Sequence, residues 1–228
     1  MEQHQSKVYS MEDFMNNSII EVKNVSKSFK KEKVLKNISI SFEAGKTHGI
    51  IGRNGSGKTV LLKMISGLLY PDEGSIFVQG KQIGKDIDFP ADIGLIIEAP
   101  GFLSYESGYK NLEYLASLRR KIGKTEIVKS IERVGLDPKS RKHVGKYSLG
   151  MKQRLGIAQA VMENPSIILL DEPMNGLDRS GVEDIRALLQ ELKNEGKTIL
   201  IASHIKDDIE LLCDTVCEID QGNLTVIR

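Results

Sequence analysis

Apolar and polar residues change rhythm several times along this chain. Residues 19–25 alternate apolar and charged side chains, and residues 34–45 repeat the alternation. Both stretches predict strands of an antiparallel sheet. Residues 47–51, Thr-His-Gly-Ile-Ile, predict a short buried strand. Leu61, Met64, Ile65 and Leu68 then recur at i, i+3, i+4 and i+7, one face of a helix. A Pro-Asp-Glu-Gly turn leads to a strand over 75–78, broken by Gly80, and residues 93–97 predict a further buried strand that runs into Glu98-Ala99-Pro100-Gly101. From about 107 to 164 the pattern turns helical. Leu112, Leu115 and Leu118 share one face, a more polar helix over 125–134 stops at Gly135, and Leu155, Ala158 and Met162 line a longer helix that ends before Pro165. Residues 167–170 are an apolar strand. Ser180-Gly181-Val182-Glu183 has capping-box form and opens a helix with Val182, Ile185, Leu189 and Leu192 on one face, closed by Gly196. A strand over 198–202 follows, and residues 209–228 predict a last helix and two strands.

Composition narrows the class without changing this picture. A chain of 228 residues suits one domain, or one domain with a subdomain. Thirty-two Lys and Arg stand against 31 Asp and Glu, a balance that gives no footprint for nucleic acid. No apolar run approaches a membrane span, and residues 1–18 form a polar tail without the apolar centre of a signal peptide. Cys213 ends a helix and Cys217 enters a strand, so they read as two buried thiols, a cytosolic pattern, with a metal site or a disulfide as the minor alternative. His4, His48 and His143 have no chemical context and read as structural.

The chemistry begins at Gly52-Arg53-Asn54-Gly55-Ser56-Gly57-Lys58-Thr59, followed by Val60. This is G-x-x-x-x-G-K-[ST], the P-loop, placed between a strand and a helix as its mechanism requires. Glycines let successive backbone N–H groups point inward at a polyphosphate, and the helix N-terminus adds favourable potential. Lys58 reaches β- and γ-phosphates, and the Thr59 hydroxyl can ligate Mg²⁺. The strand 167–170 runs into Asp171-Glu172-Pro173, the Walker B pattern, which delivers carboxylates at the edge where open α/β sheets bind ligands. Asp171 can hold Mg²⁺ through water, and Glu172 can orient or deprotonate an attacking water. His204 follows a buried strand on the same edge and can reach a γ-phosphate. Phe29 fits either a core position or a platform for a nucleotide base, since an adenine offers a π-face; local pattern alone favours core.

With these residues in order, the chain resembles the ATP-binding subunit of ABC transporters from about residue 19 to the C-terminus. The resemblance rests on the P-loop, the loop at Glu98, Ser148-Leu149-Gly150-Met151-Lys152-Gln153-Arg154 as the signature, residues 167–173, Asn175-Gly176-Leu177-Asp178 and the switch histidine His204. It implies an α/β P-loop NTPase fold: a RecA-like core, an antiparallel β-subdomain and an inserted helical subdomain at about 99–164. It implies ATP and Mg²⁺ as ligands, with Glu172, His204 and Lys58 catalytic and Thr59, Glu98 and Asp171 around the metal. Phe29 falls at the family's adenine-stacking aromatic, which raises the platform reading. Ser148, Gly150 and Asp178 would serve a head-to-tail dimer in which one subunit caps the nucleotide of the other.

Two departures stand out. The family's usual L-S-G-G-Q is here Tyr147-Ser148-Leu149-Gly150-Met151, which keeps the hydroxyl and the second glycine and loses the final amide. Glu98 stands where a neutral Gln is usual. Both variants resemble the branch that exports bacitracin or lantibiotics. The implied function is a motor subunit at the cytoplasmic face of the membrane, a homodimer working with separate permease chains and without nucleic acid. The surface around Gly101, Phe102, Leu103 and Tyr105 would dock a permease helix, or else form subdomain core. The other reading is a soluble single-cassette ABC ATPase of the iron–sulfur assembly type.

Overall fold

The computed structural model describes residues 18–30, 32–98 and 101–228. The polar tail, with His4, therefore lies outside the described residues apart from Ser18, as do Ala99 and Pro100. The elements run β1 (Ser18–Phe29), β2 (Glu32–Glu43), β3 (Thr47–Ile51), α1 (Lys58–Ile65), β4 (Glu73–Val78), β5 (Lys81–Gln82), β6 (Ile93–Ile96), α2 (Gly108–Arg119), α3 (Lys124–Arg133), α4 (Leu149–Val161), β7 (Ile167–Asp171), α5 (Arg179–Asn194), β8 (Thr198–Ser203), α6 (Lys206–Leu212), β9 (Thr215–Asp220) and β10 (Asn223–Val226). Two sheets form, one ordered β2-β1-β4-β5 and one ordered β10-β9-β3-β8-β7-β6.

The second sheet explains why β3, β7 and β8 read as unbroken apolar runs. Its strands β6, β7, β8, β3 and β9 are parallel, and β10 closes the edge antiparallel to β9. A parallel sheet is covered on both faces, so both sets of alternate residues must be apolar. On β7, Ile168 and Leu170 enter one core with α2, α3, α4 and α5, while Ile167 and Leu169 enter a second core with α1 and the antiparallel sheet. On β8, Ile199 and Ile201 face the first core and Leu200 and Ala202 the second. Period-two alternation thus welds two cores through one sheet.

The antiparallel sheet behaves as its alternation predicts. β1 pairs with β2 and with β4, with Ile20, Val22 and Val25 buried. Between β6 and β7 the chain makes α2, α3 and α4. A side chain at Gly94 on β6 would put its Cβ 1.8 Å from the Ala160 carbonyl oxygen, so glycine there is what lets α4 lie directly on the strand.

Three local expectations need correction. α1 stops at Ile65, because the chain turns at Gly67 with φ +80°, and Leu68 is 54 % exposed rather than on the buried face. Leu118 is 79 % exposed although Leu112 is fully buried. Spacing of three and six residues drifts off one face of a 3.6-residue turn. The capping signal at Ser180 sits two residues too late: Asp178 is the N-cap of α5, and its Oδ1 accepts from the Gly181 N–H at 2.8 Å. Cys213 and Cys217 are buried and free, and burial pushes both thiols up to about 12.

Candidate functional site

The P-loop leaves β3 at the carboxyl edge of the parallel sheet and enters α1 at Lys58. Glycine is required at two of its positions. A Cβ on Gly52 would stand 2.4 Å from the Ile219 carbonyl and 2.6 Å from Ser56 Oγ, and Gly57 has φ +111° with Leu35 2.6 Å from any added Cβ. The result is a cradle of about 160 Å³ lined by Asn54, Gly55, Lys58, Thr59, Asp171 and Glu172 among others. Val60 follows in the first turn of α1 and also lines it.

Within the cradle the sequence-predicted groups come together. Lys58 is 5 % exposed. Its Nζ donates to the carbonyls of Gly52 at 2.8 Å and Arg53 at 3.2 Å and stands 3.7 Å from Glu172 Oε1. The loop thus holds its own lysine folded back over the cradle. Thr59 Oγ1 donates to Asp171 Oδ2 at 2.7 Å, joining two of the three candidate metal ligands across 112 residues of sequence.

Asp171 is buried, and burial is the largest influence on its carboxyl, raising its pKa. The Thr59 hydroxyl and the Glu98 backbone N–H pull it down, and the neighbouring Glu172 charge pushes it up. Among the described residues, Asp171 Oδ1, Glu172 Oε1 and Ser56 Oγ are buried oxygens without a hydrogen-bond partner. Buried acceptors left unpaired are costly. The open Asp171 Oδ1 beside the Thr59 hydroxyl gives hard oxygens that suit Mg²⁺, while Glu172 Oε1 faces the Lys58 ammonium.

Glu172 lies just past β7 with φ +49°, an uncommon conformation for a residue other than glycine. Such strain costs about 1–3 kcal/mol and persists where neighbours over-determine it. Here its N–H donates to the Ala202 carbonyl at 2.8 Å. Its Oε2 receives the Ser203 hydroxyl at 3.3 Å and contacts His204 Nδ1 at 2.9 Å. The β8 edge therefore grips the carboxylate that β7 presents.

Other predicted residues are placed less directly. Phe29 ends β1 and is 46 % exposed, outside both cores. Glu98 has φ +60°, and its carboxylate forms an ion pair with Lys63 of α1 at 2.7 Å. Its backbone reaches the site while its charge is engaged by Lys63. Ser148 is the N-cap of α4, and its Oγ accepts from the Met151 N–H at 3.1 Å. Gly150 lies under Gly176, whose carbonyl would be 2.8 Å from an added Cβ, so the signature packs on the loop that ends at Asp178.

Three residues escape a reading of the sequence alone. Gln153 is buried and donates from Nε2 to the carbonyls of Glu172 at 3.2 Å and Pro173 at 3.1 Å, bracing the acidic turn from α4. Ser203 and Lys63 contact the two glutamates. Gln153 carried a hint as part of the signature stretch and Ser203 as the neighbour of His204, whereas Lys63 carried none.

Residues 35–175 match the family model described as ABC transporter. An uncharacterized ABC transporter ATP-binding protein, YybJ of Bacillus subtilis, is 48 % identical over 206 residues, covering 90 % of this chain and 94 % of its own. The bacitracin transport ATP-binding protein BcrA of Enterococcus faecalis is 42 % identical over 208 residues, 90 % of this chain and 68 % of that protein. The lantibiotic transport ATP-binding protein SrtF of Streptococcus pyogenes is 35 % identical over 207 residues, 90 % and 89 % of the two chains. Among solved structures, the dimeric bacterial ABC transporter cassette MJ0796 superposes with a TM-score of 0.81 at 26 % identity, covering 92 % of this chain and 99 % of its own.

Proposed function

The chain belongs to the ABC transporter ATP-binding family, and on that premise we propose that it is the ATP-hydrolysing motor of an exporter for peptide antibiotics or related compounds. The observation that carries the hydrolytic part is the cluster of Lys58, Thr59, Asp171, Glu172 and His204 at one sheet edge, with Asp171 Oδ1 buried and without a hydrogen-bond partner. The transport part is supported by the named bacitracin and lantibiotic relatives.

In this reading the P-loop N–H groups and Lys58 hold the triphosphate. Thr59 and Asp171 would hold Mg²⁺, which would neutralise phosphate charge. Glu172 takes the proton of the attacking water, and His204, through its contact with Glu172, keeps that carboxylate aimed while reaching towards the γ-phosphate. Ser148 and Gly150 serve the nucleotide of a second subunit, and Asp178 sits at the same junction. The domain runs from residue 19, with residues 99–164 as a helical subdomain. The unit works as a homodimer at the cytoplasmic face of the membrane, bound to separate permease chains. No helix among the described residues is long and apolar enough to cross a membrane itself. The iron–sulfur assembly reading has no observation in its favour.

The direct test is affinity purification of the tagged chain from detergent-solubilised membranes of its host. Co-purification with a multi-span membrane protein that stimulates its ATPase activity is expected. Recovery only in the soluble fraction, with soluble partners, would overturn the transporter assignment.

A further inference from the structure

Phe29 stands at the end of β1, opposite Glu32 in the β1–β2 ladder, with nearly half of its surface open. A ring at a strand end needs something to hold its backbone, because edges of sheets fray. Here β1 is also irregular: its pairing with β4 slips between Lys23 and Ser26. β2 pairs with Lys27, Ser28 and Phe29, but β4 does not reach past Ser26 to hold these residues from its side.

One residue does. Asp72 lies in the turn between α1 and β4. Its N–H donates to the Ser26 carbonyl at 2.9 Å, its Oδ1 accepts from Lys27 Nζ at 2.6 Å, and its Oδ2 accepts from the Ser28 N–H at 2.7 Å. Three consecutive residues are held from a single position, immediately before the aromatic. Lys27, thus oriented, places its ammonium 5.8 Å from the centroid over the Phe29 ring. A cation on one face is favourable to the ring and leaves the opposite face for a base.

We infer that Asp72 is the positioning residue of the base platform: it ties the chain that leaves the phosphate-gripping helix α1 to the strand that presents Phe29. Separation between phosphate cradle and base stack is then set by this carboxylate together with the β1–β2 pairing. Charge-assisted hydrogen bonds of this kind are the stronger class. The Lys27 contact, followed by the Ser28 N–H, also holds the Asp72 carboxyl below the usual carboxylate range. The inference rests on the reading of Phe29 as a platform, and the test separates the two.

Binding of MgATP and of inorganic tripolyphosphate is measured by calorimetry for wild type, Phe29→Ala, Asp72→Ala, Asp72→Asn and the double variant Phe29→Ala/Asp72→Ala, with melting temperature as a check on folding. Loss of a base stack weakens binding by roughly 5- to 150-fold. Phe29→Ala and Asp72→Ala should each weaken ATP by about fivefold or more and leave tripolyphosphate unchanged. The double variant should lose little beyond Phe29→Ala. Asp72→Asn, which keeps an acceptor for Ser28 and loses the charge that holds Lys27, should fall between. The chain has no Trp, so Phe29→Trp supplies a sole reporter: ATP should change its emission, and Asp72→Ala should remove that change. A normal ATP affinity in Asp72→Ala, or losses that add fully to those of Phe29→Ala, would overturn the role of Asp72 and leave the platform standing. No base-specific loss in Phe29→Ala would remove the platform and this inference with it.

Discussion

Lys58 illustrates how a single residue can be both buried and ready. It is held over the cradle by two carbonyls of its own loop, and its nearest anion is Glu172 at 3.7 Å. A triphosphate offers a stronger partner than either carbonyl. Lys58→Ala should therefore reduce ATP turnover by about a hundredfold or more, the scale of losing a preorganised charge stabiliser; full MgATP turnover in that variant would dissociate this loop from the chemistry. His48 makes a separate, structural prediction. Its ring is buried, with Nδ1 against Thr215 Oγ1 at 2.7 Å and Nε2 against the Glu43 carbonyl at 2.9 Å. Burial lowers its pKa from 6.5, offset in part by that carbonyl and by the charges of Glu43 and Asp214. The folded state therefore binds the proton less readily than the unfolded chain. Stability contributed by neutral His48 is present above 6.5 and is lost as pH falls from there through the lowered folded value. Chemical denaturation of wild type should show this slope, and His48→Gln should flatten it. Residues inside contiguous motifs, such as Lys58, Thr59 and Asp171, could be read from the chain because their spacing is itself the mechanism. Gln153 and Lys63 could not, since their contacts with the acidic turn and Glu98 exist only after α4 and α1 have docked.

At the scale of elements, the strands of the parallel sheet were readable because burial on two faces leaves an unmistakable apolar run. Helix ends were less so. Leu68 and Leu118 continue an apolar count yet lie outside the core, since a helix buries a face and not a composition. The docking expectation falls on the groove between β6 and the helices after it. It encloses about 430 Å³ and is lined by Leu95, Ile97, Phe102, Leu103, Tyr114 and Leu115 among others. Phe102 packs partly against the core, whereas Leu103 and Tyr105 are 40 % and 66 % exposed. Core and docking readings of this segment therefore divide between neighbouring residues. Leu103→Glu or Tyr105→Glu should uncouple transport while ATPase activity and melting temperature stay near wild type, and Phe102→Ala should lower the melting temperature. A matching collapse of stability at all three positions would return the whole segment to the core. Glu98 sits beside this groove, paired with Lys63. If its carboxylate senses the nucleotide, Glu98→Gln should tighten metal-free ATP binding and shrink the gain from Mg²⁺; superimposed titrations would assign it to the groove.

On the scale of the whole molecule, Lys58, Thr59, Asp171 and Glu172 line the cradle, whereas Ser148 and Asp178 cap their own helices and do not line it. In our account these residues complete the site of a second copy, so hydrolysis and dimer dissociation are one cycle. Glu172→Gln isolates that claim: the amide keeps the shape but cannot accept the proton, which should slow hydrolysis by about 10²–10⁴-fold and trap the closed state. The decisive measurement is the mass of Glu172→Gln by light scattering on size-exclusion chromatography, with and without MgATP. A monomer that converts to a nucleotide-loaded dimer on adding MgATP, and reverts when Ser148→Arg is introduced, is the predicted result. A variant that binds MgATP stoichiometrically and remains monomeric would contradict the account.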